Sequence, residues 1–472
     1  LRFMSEAAEG LIYFGEADIS VKGIFTDSRN PLNGGAFLAV KGEYFDGHDF
    51  IESAARAGCK VFIVSRIEGI RFPEKSSVLW VRDTVEAYGR IAAAYRKSFK
   101  KVKVITVCGS NGKTTTKELI AAVLSKKGKT LASQRSYNNH IGVPQTLLEL
   151  DSSHSYAVIE AGTNHPGELA PLLKMIDPDY GVLTSIGNEH LEFFGDLDGV
   201  LEEEGSIAEA LPAGGALFIA EDCYGSREVI GRLKKGVRSI AVSRQSPESA
   251  ELYGELVSIS HNGTTFKVFP KAKEVGKGQE DTRLRQGKIR SLGAHHITNA
   301  LLAICVGDEM GVPEDEIYQA LSECPAPEMR TEIKIARGVT LLVDCYNANQ
   351  DSVCAALETL MHLRNSGTGK AVALLGTMGE LGQSAPQSHR QVALKAAAVG
   401  VDRALFCGEY AGEMYEVFLA NASAGQFSKA FESPEALLEQ ADEYINAGDS
   451  VLLKASRSQR FERLVQRWSL EV

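Results

Sequence analysis

The chain has 472 residues, 44% of them hydrophobic and 24% charged, with a formal net charge of -10. That length exceeds one ordinary core and predicts about three domains. The acidic balance excludes a general nucleic-acid binder, which needs a basic face, and no stretch approaches the ~18 apolar residues of a membrane span. Phosphate ligands stay open, because a phosphate site needs only a few local cations and backbone amides.

Residues 1–100 mix short apolar runs, Ala36 to Val40 and Val61 to Val64, with turns such as Asp46-Gly47, and close on a predicted helix from Thr84 to Phe99. Lys97 to Lys103 reads as a basic connector. Residues 101–324 open on the apolar run Val102 to Cys108, a strand buried on both faces, followed by a glycine loop and a helix ending near Gly128. Further runs at Ala157 to Ile159 and Val182 to Ile186 alternate with helical segments. This alternation predicts a mostly parallel, doubly wound sheet. The polar stretch 245–290 reads as strands ending in a charged loop from Lys271 to Lys288. Residues 325–472 repeat the pattern, with strands at Thr340 to Val343, Ala371 to Leu375, Arg403 to Cys407 and Ser450 to Leu453. They predict a smaller, Rossmann-like α/β domain. The fold class is therefore α/β in three domains, the central one P-loop-like. Eight cysteines are scattered without a CxxC pair, and Leu1 to Gly10 lacks the pattern of a secretory leader. Reduced thiols in a cytoplasmic protein are expected, as is a monomer.

The loop Gly109-Ser110-Asn111-Gly112-Lys113-Thr114-Thr115 carries the clearest chemistry. Between a strand and a helix, its glycines let backbone amides turn toward a phosphate, and the helix N-terminus adds positive dipole. Lys113 is expected to reach the β- and γ-phosphates of ATP and Thr114 to ligate Mg²⁺. A plain glycine turn is the bland alternative, but it explains poorly a Gly-Lys followed by three threonines. Glu160, at the end of the next predicted strand, is placed to hold the metal, against the alternative of an ordinary strand-end acid. His190 follows another strand and is a candidate second ligand, although a lone histidine is more often structural.

Taken together, these pieces resemble the Mur ligases, ATP-dependent amide-forming enzymes of peptidoglycan precursor synthesis, along nearly the whole chain. The GxNGKT spacing, Glu160 and His190 match that family's ATP and magnesium motifs. Gly293 to Ala300 is similar to its adenine-side motif, with His295 and Asn299 in place and His296 where an asparagine is usual. Tyr137 to Pro144, with Asn138 and Asn139, looks like a substrate loop, and Met329 to Glu332 like the linker arginine motif. Asp344 to Ser352, holding Tyr346, Asn347 and Asn349, and Leu375 to Gly382 with His389 resemble signatures of the branch that accepts a dipeptide.

The resemblance implies that residues 1–100 bind a UDP-substrate through Ser28, Arg29 and Gly47. It also implies that Arg330 and Asp344 contact ATP, and that Lys454 and Arg457 bind the dipeptide. The implied reaction adds D-Ala-D-Ala to UDP-MurNAc-tripeptide, with no nucleic-acid partner and no membrane insertion. A sister ligase adding a single amino acid, a folate polyglutamate ligase and a paralogue without catalysis are the competing readings. The first lacks its DNPR-type motif here, and the second has no counterpart of residues 1–100. One departure stands out. The family's carbamoylated lysine, whose carboxylate helps bind a second magnesium, matches Glu204, within Leu201-Glu202-Glu203-Glu204-Gly205. Glu204 is expected to supply the anionic group directly. The alternative is that these glutamates decorate a helix's first turns, with Glu203 the next candidate.

Overall fold

A computed structural model describes residues 1–270, 285–365 and 369–470. Among these residues the strands form three sheets, of five, nine and six strands, each covered by helices. The first runs in the order Leu11–Phe14, Ser77–Trp80, Val61–Val64, Ala36–Leu38, Ile24–Phe25, and only its Leu11–Phe14 edge is antiparallel. Helix Thr84–Arg96 packs on one face through Ala87, Tyr88 and Ile91, and Asp83 caps its first turn by accepting from Glu86 N–H.

The central sheet places Lys103–Cys108 between Tyr156–Glu160 and Tyr180–Leu183, all parallel. Thr130–Ala132 lies beyond one side, with Ala216–Ala220 and Arg238–Ser243 beyond the other. Val104 and Cys108 face one apolar layer and Ile105 and Val107 the other, as a run buried on both faces requires. The C-terminal ends of Lys103–Cys108 and Tyr156–Glu160 therefore lie side by side, where open α/β sheets gather ligands.

Two expectations need correction. The strand read as Val182 to Ile186 stops at Leu183, because the next residues turn their hydroxyl and carbonyl groups to the glycine loop instead of a neighbouring strand. The charged segment read as a loop to Lys288 ends in a strand, Arg285–Ile289, paired antiparallel with Gly263–Pro270. Gly287 and Ile289 there are buried while Gln286 and Lys288 face solvent, a period-two pattern that charge had hidden. Residues 271–284 lie outside the described residues.

The third sheet runs Glu332–Ala336, Val339–Val343, Ser450–Lys454, Ala371–Leu375, Arg403–Cys407, Phe427–Phe431, parallel beyond its first hairpin. Its strand ends carry Asp344, Gly376 and Lys454 toward the central sheet. Among the described residues no helix is long and apolar enough to cross a membrane.

Candidate active site

The glycine loop joins Lys103–Cys108 to helix Lys113–Ser125. Gly109 has φ of 118°, and a Cβ there would lie 2.5 Å from Thr184 Oγ1, so only glycine fits. Segment 184–187 braces the loop. Asn111 N–H donates to Ser185 Oγ (2.8 Å), Thr184 Oγ1 donates to Asn111 O (2.6 Å), and Gly187 N–H donates to Ser110 Oγ (2.9 Å). Lys113 folds back on the carbonyls of Gly109 and Ser110 and lies 3.6 Å from Glu189. Burial alone would lower its ammonium, but Glu189, Glu204 and Glu160 outweigh that and raise it. The loop therefore starts from a charged lysine held among acids.

Those acids are unusually short of donors. Glu160 Oε1 accepts from Asn138 Nδ2 (2.9 Å), while Glu160 Oε2, Thr114 Oγ1, Glu189 Oε1 and Glu204 Oε1 are buried with no hydrogen-bond partner. Orphaned oxygens of this kind are costly without a ligand. Three buried carboxyls around one lysine form a donor set suited to a hard divalent cation. Among the described residues no three His, Cys, Asp or Glu side chains converge closely enough to hold a metal alone. A magnesium ion, which keeps several waters and takes substrate phosphate oxygens, does not need them to.

Glu204 lies fully buried beneath the loop, where its Oε2 accepts from Gly109 N–H at 2.7 Å. It is absent from the residues lining the cleft. Burial pushes it up to about 8, Lys113 and the Gly109 amide pull the other way, and the nearby charge of Glu189 adds to the rise. Glu203 does something else. It accepts from Gly167 N–H (2.7 Å), Leu169 N–H (2.7 Å) and Thr163 Oγ1 (3.1 Å), tying down the start of helix Leu169–Ile176.

His190, at φ of 47°, places Nδ1 2.6 Å from Glu380 Oε2, and that contact holds the Glu380 carboxyl below its usual range. Nδ1 has no hydrogen-bond partner of good geometry, so Glu380 faces the ring by proximity and orients it toward the cleft. Glu380 belongs to the third domain, and its carbonyl also accepts from Glu192 N–H (3.1 Å). Two further contacts close the same seam: Asn349 Nδ2 donates to Asn111 Oδ1 (3.0 Å), and Asn188 N–H donates to Asp351 Oδ2 (3.0 Å).

Between the two domains lies a cleft of about 780 Å³. Of the residues expected at the site, it brings together Ser110 to Thr115, Asn138, Asn139, Glu160, His190, His295, Asn299, Arg330, Asp344, Tyr346, Asn347, Asn349 and Lys454. Arg330 stacks over the Tyr346 ring at 4.2 Å. Asn299 packs on Gly112, where a Cβ would meet its Oδ1 at 2.6 Å, and its Nδ2 lies 3.1 Å from His296 Nδ1. Burial pushes His295 down to about 4 and His296 well below its normal value, so both rings are neutral.

Several of the expected cations are already paired, and other expected residues lie outside the cleft. Lys454 pairs with Asp344 (2.8 Å) and donates to Asn347 O (2.9 Å), and Arg457 pairs with Glu462 (2.7 Å) outside the cleft lining. Ser28, Arg29 and Gly47 lie on the first sheet's side and do not line the cleft, and Arg29 is held by Asp27 at 2.9 Å. His389 is a core residue: its Nδ1 contacts Ala385 O (2.7 Å) and its Nε2 accepts from Met378 N–H (3.0 Å). Sequence reasoning missed Glu189, Glu380 and Asp351 as site residues. Each carried a signal: Glu380 and Asp351 lie inside the two signature segments, and Glu189 stands beside His190.

Three family models match the chain: the catalytic domain of the Mur ligase family over residues 20–96, the Mur ligase middle domain over 107–307, and the Mur ligase glutamate ligase domain over 329–457. UDP-N-acetylmuramoyl-tripeptide--D-alanyl-D-alanine ligase of Escherichia coli (strain K12) is 34% identical over 458 residues, covering 95% of this chain and 94% of that protein. A crystal structure of MurF from Acinetobacter baumannii superposes with a TM-score of 0.86 at 28% identity, covering 99% and 98%. A MurF ligase from Thermotoga maritima in complex with ADP shares the fold, with a TM-score of 0.79 at 23% identity over 96% and 98%.

Proposed function

The chain belongs to the Mur ligase family, and from that premise we propose that it joins D-alanyl-D-alanine to UDP-N-acetylmuramoyl-tripeptide, spending ATP and working as a cytoplasmic monomer. One observation carries the reading. The glycine loop of the central domain and the Tyr346 to Asn349 segment of the third line one cleft, so a nucleotide and an acceptor amine can meet there.

The γ-phosphoryl group passes to the tripeptide's terminal carboxylate, giving an acyl phosphate and ADP. The dipeptide amine then attacks the acyl carbon, loses a proton, and phosphate leaves. Lys113 releases its loop carbonyls to follow the β- and γ-phosphates, and the loop amides cradle their oxygens. His295 and Asn299 border the adenine, and Arg330 and Asp344 reach the nucleotide from the third domain. Thr114, Glu160 and His190 would hold Mg²⁺, with Glu204 beneath the loop in place of a carbamoylated lysine. Bound there, magnesium would neutralise the charge that develops on the transferring phosphoryl group. Ser28, Arg29 and Gly47 are assigned to the UDP end of the substrate. Asn138, Asn139, Tyr346, Asn347 and Asn349 are assigned to its peptide end and to the acceptor, with Lys454 and Arg457 at the dipeptide side. Residues 1–100, 101–324 and 325–472 then divide the labour into UDP handle, ATP and acceptor. Closure of the seam keeps water from the acyl phosphate.

Phosphate release measured with UDP-MurNAc-tripeptide, carrying either meso-diaminopimelate or lysine, tests the assignment. Turnover is expected with D-Ala-D-Ala and not with single amino acids. Preference for a single amino acid, or ATP binding without turnover, refutes it.

A further inference from the structure

Glu189 has no role in the scheme above, yet it is the acid best placed to act. It is 6% exposed, lines the cleft and keeps Oε1 without a donor. Its other oxygen lies 3.6 Å from Lys113, the residue that must swing toward an incoming phosphate. Glu204, one side chain deeper, is fully buried and has already given Oε2 to the Gly109 amide. A glutamate arm is too short to carry that carboxylate past the loop and into the cleft. Both carboxyls border the same turn: Glu204 holds the Gly109 amide from beneath, and Glu189 faces the Lys113 ammonium that rests on the Gly109 carbonyl.

We propose that Glu189 is the carboxylate that faces the nucleotide-bound cation, with Glu204 as its positioning residue, so that the pair does in two side chains what a carbamoylated lysine does in one. This rests on the ligase reading and its magnesium ions. Glu204 anchors itself on Gly109 and fixes the floor of the loop on which Lys113 and Glu189 face each other. When phosphate draws Lys113 away, Glu189 is left as a buried carboxylate with no partner, and a divalent cation supplies what it lost. Because both carboxylates are part of the chain, the site needs no carbon dioxide.

The experiment counts Mn²⁺ bound to the full chain with a non-hydrolysable ATP analogue, by electron paramagnetic resonance, in bicarbonate-free and bicarbonate-supplemented buffer. For the unaltered chain the two titrations are expected to coincide. Glu189→Gln is expected to lose one Mn²⁺ or weaken it at least about tenfold, and Glu204→Gln to weaken it about tenfold, the scale of a lost outer-shell partner. Glu189→Asp guards against a variant that fails to fold; it should bind the same number of ions more weakly. Unchanged Mn²⁺ binding in Glu189→Gln, or binding that rises with bicarbonate in the unaltered chain, overturns the proposal. Failure of the unaltered chain to bind any Mn²⁺ with the analogue would instead strike the ligase reading itself.

Discussion

Replacing Glu204 with glutamine tests the buried carboxyl directly, because the amide keeps its shape and can still accept from Gly109 N–H. In the folded chain Glu204 is pushed up to about 8 by burial, against an ordinary value of 4.5. Between those two values the folded state holds a proton that the unfolded state has released, so stability falls as pH rises through the window. Acting alone, a displacement of that size is worth about 5 kcal/mol. Lys113 and its neighbours readjust around the ionised group, so about 2 kcal/mol is the expected cost at pH 8.5. Glutamine has no proton to lose. By calorimetry of the nucleotide-free protein, Glu204→Gln should melt roughly 4–8 °C above the parent at pH 8.5. At pH 5 the two should nearly coincide. A difference of equal size at both pH values would refute the reasoning, since it would come from packing instead of ionisation. The same variant binds metal less well, so stability and function pull in opposite directions at this position.

Glu203→Ala should destabilise the protein by roughly 3 kcal/mol, because two backbone amides and a threonine hydroxyl lose their acceptor; calorimetry showing no change would discount those bonds. Gly112→Ala forces a side chain into φ of 87° and against Asn299, at a cost of about 1–2 kcal/mol. Its ATP dissociation constant by titration calorimetry should rise about tenfold, and an unchanged constant would mean the loop relaxes freely. Glu380→Ala should raise the Mg²⁺ concentration for half-maximal activity about tenfold while leaving the melting temperature alone. A large loss of stability there would show Glu380 to be merely structural.

Much of this molecule was legible in its sequence where one residue's chemistry sufficed. Val102 to Cys108 reads as a doubly buried strand because Val104 and Cys108 on one face and Ile105 and Val107 on the other are apolar, and Gly109 to Thr115 reads as a phosphate loop because little else explains its spacing. What tertiary contact decides was hidden. Three consecutive glutamates differ only by a helical step of about 100° each, yet Glu203 caps a neighbouring helix and Glu204 reaches the loop. Thr184 and Ser185 look like strand residues, but their hydroxyls serve Asn111. His389 sat in a signature segment and proves to hold up the Met378 backbone from the core. Glu189 needed the third dimension, since its importance comes from Lys113 and Glu204, 76 and 15 positions away.

The seam between the second and third domains has a kinetic side. It is fastened by polar contacts, among them Asn349 to Asn111, Asp351 to Asn188, His296 to Thr331 and Glu380 to His190 and Glu192, and by Ile259 and Leu292 packed into the third domain's apolar core. Each such polar bond adds only about 1 kcal/mol net, so a single added contact shifts the balance between open and closed. A tighter clasp would shield the reactive intermediate longer but trap the finished product. Variants that add contacts here should therefore slow turnover by delaying release, with the chemical step unchanged in a single-turnover measurement.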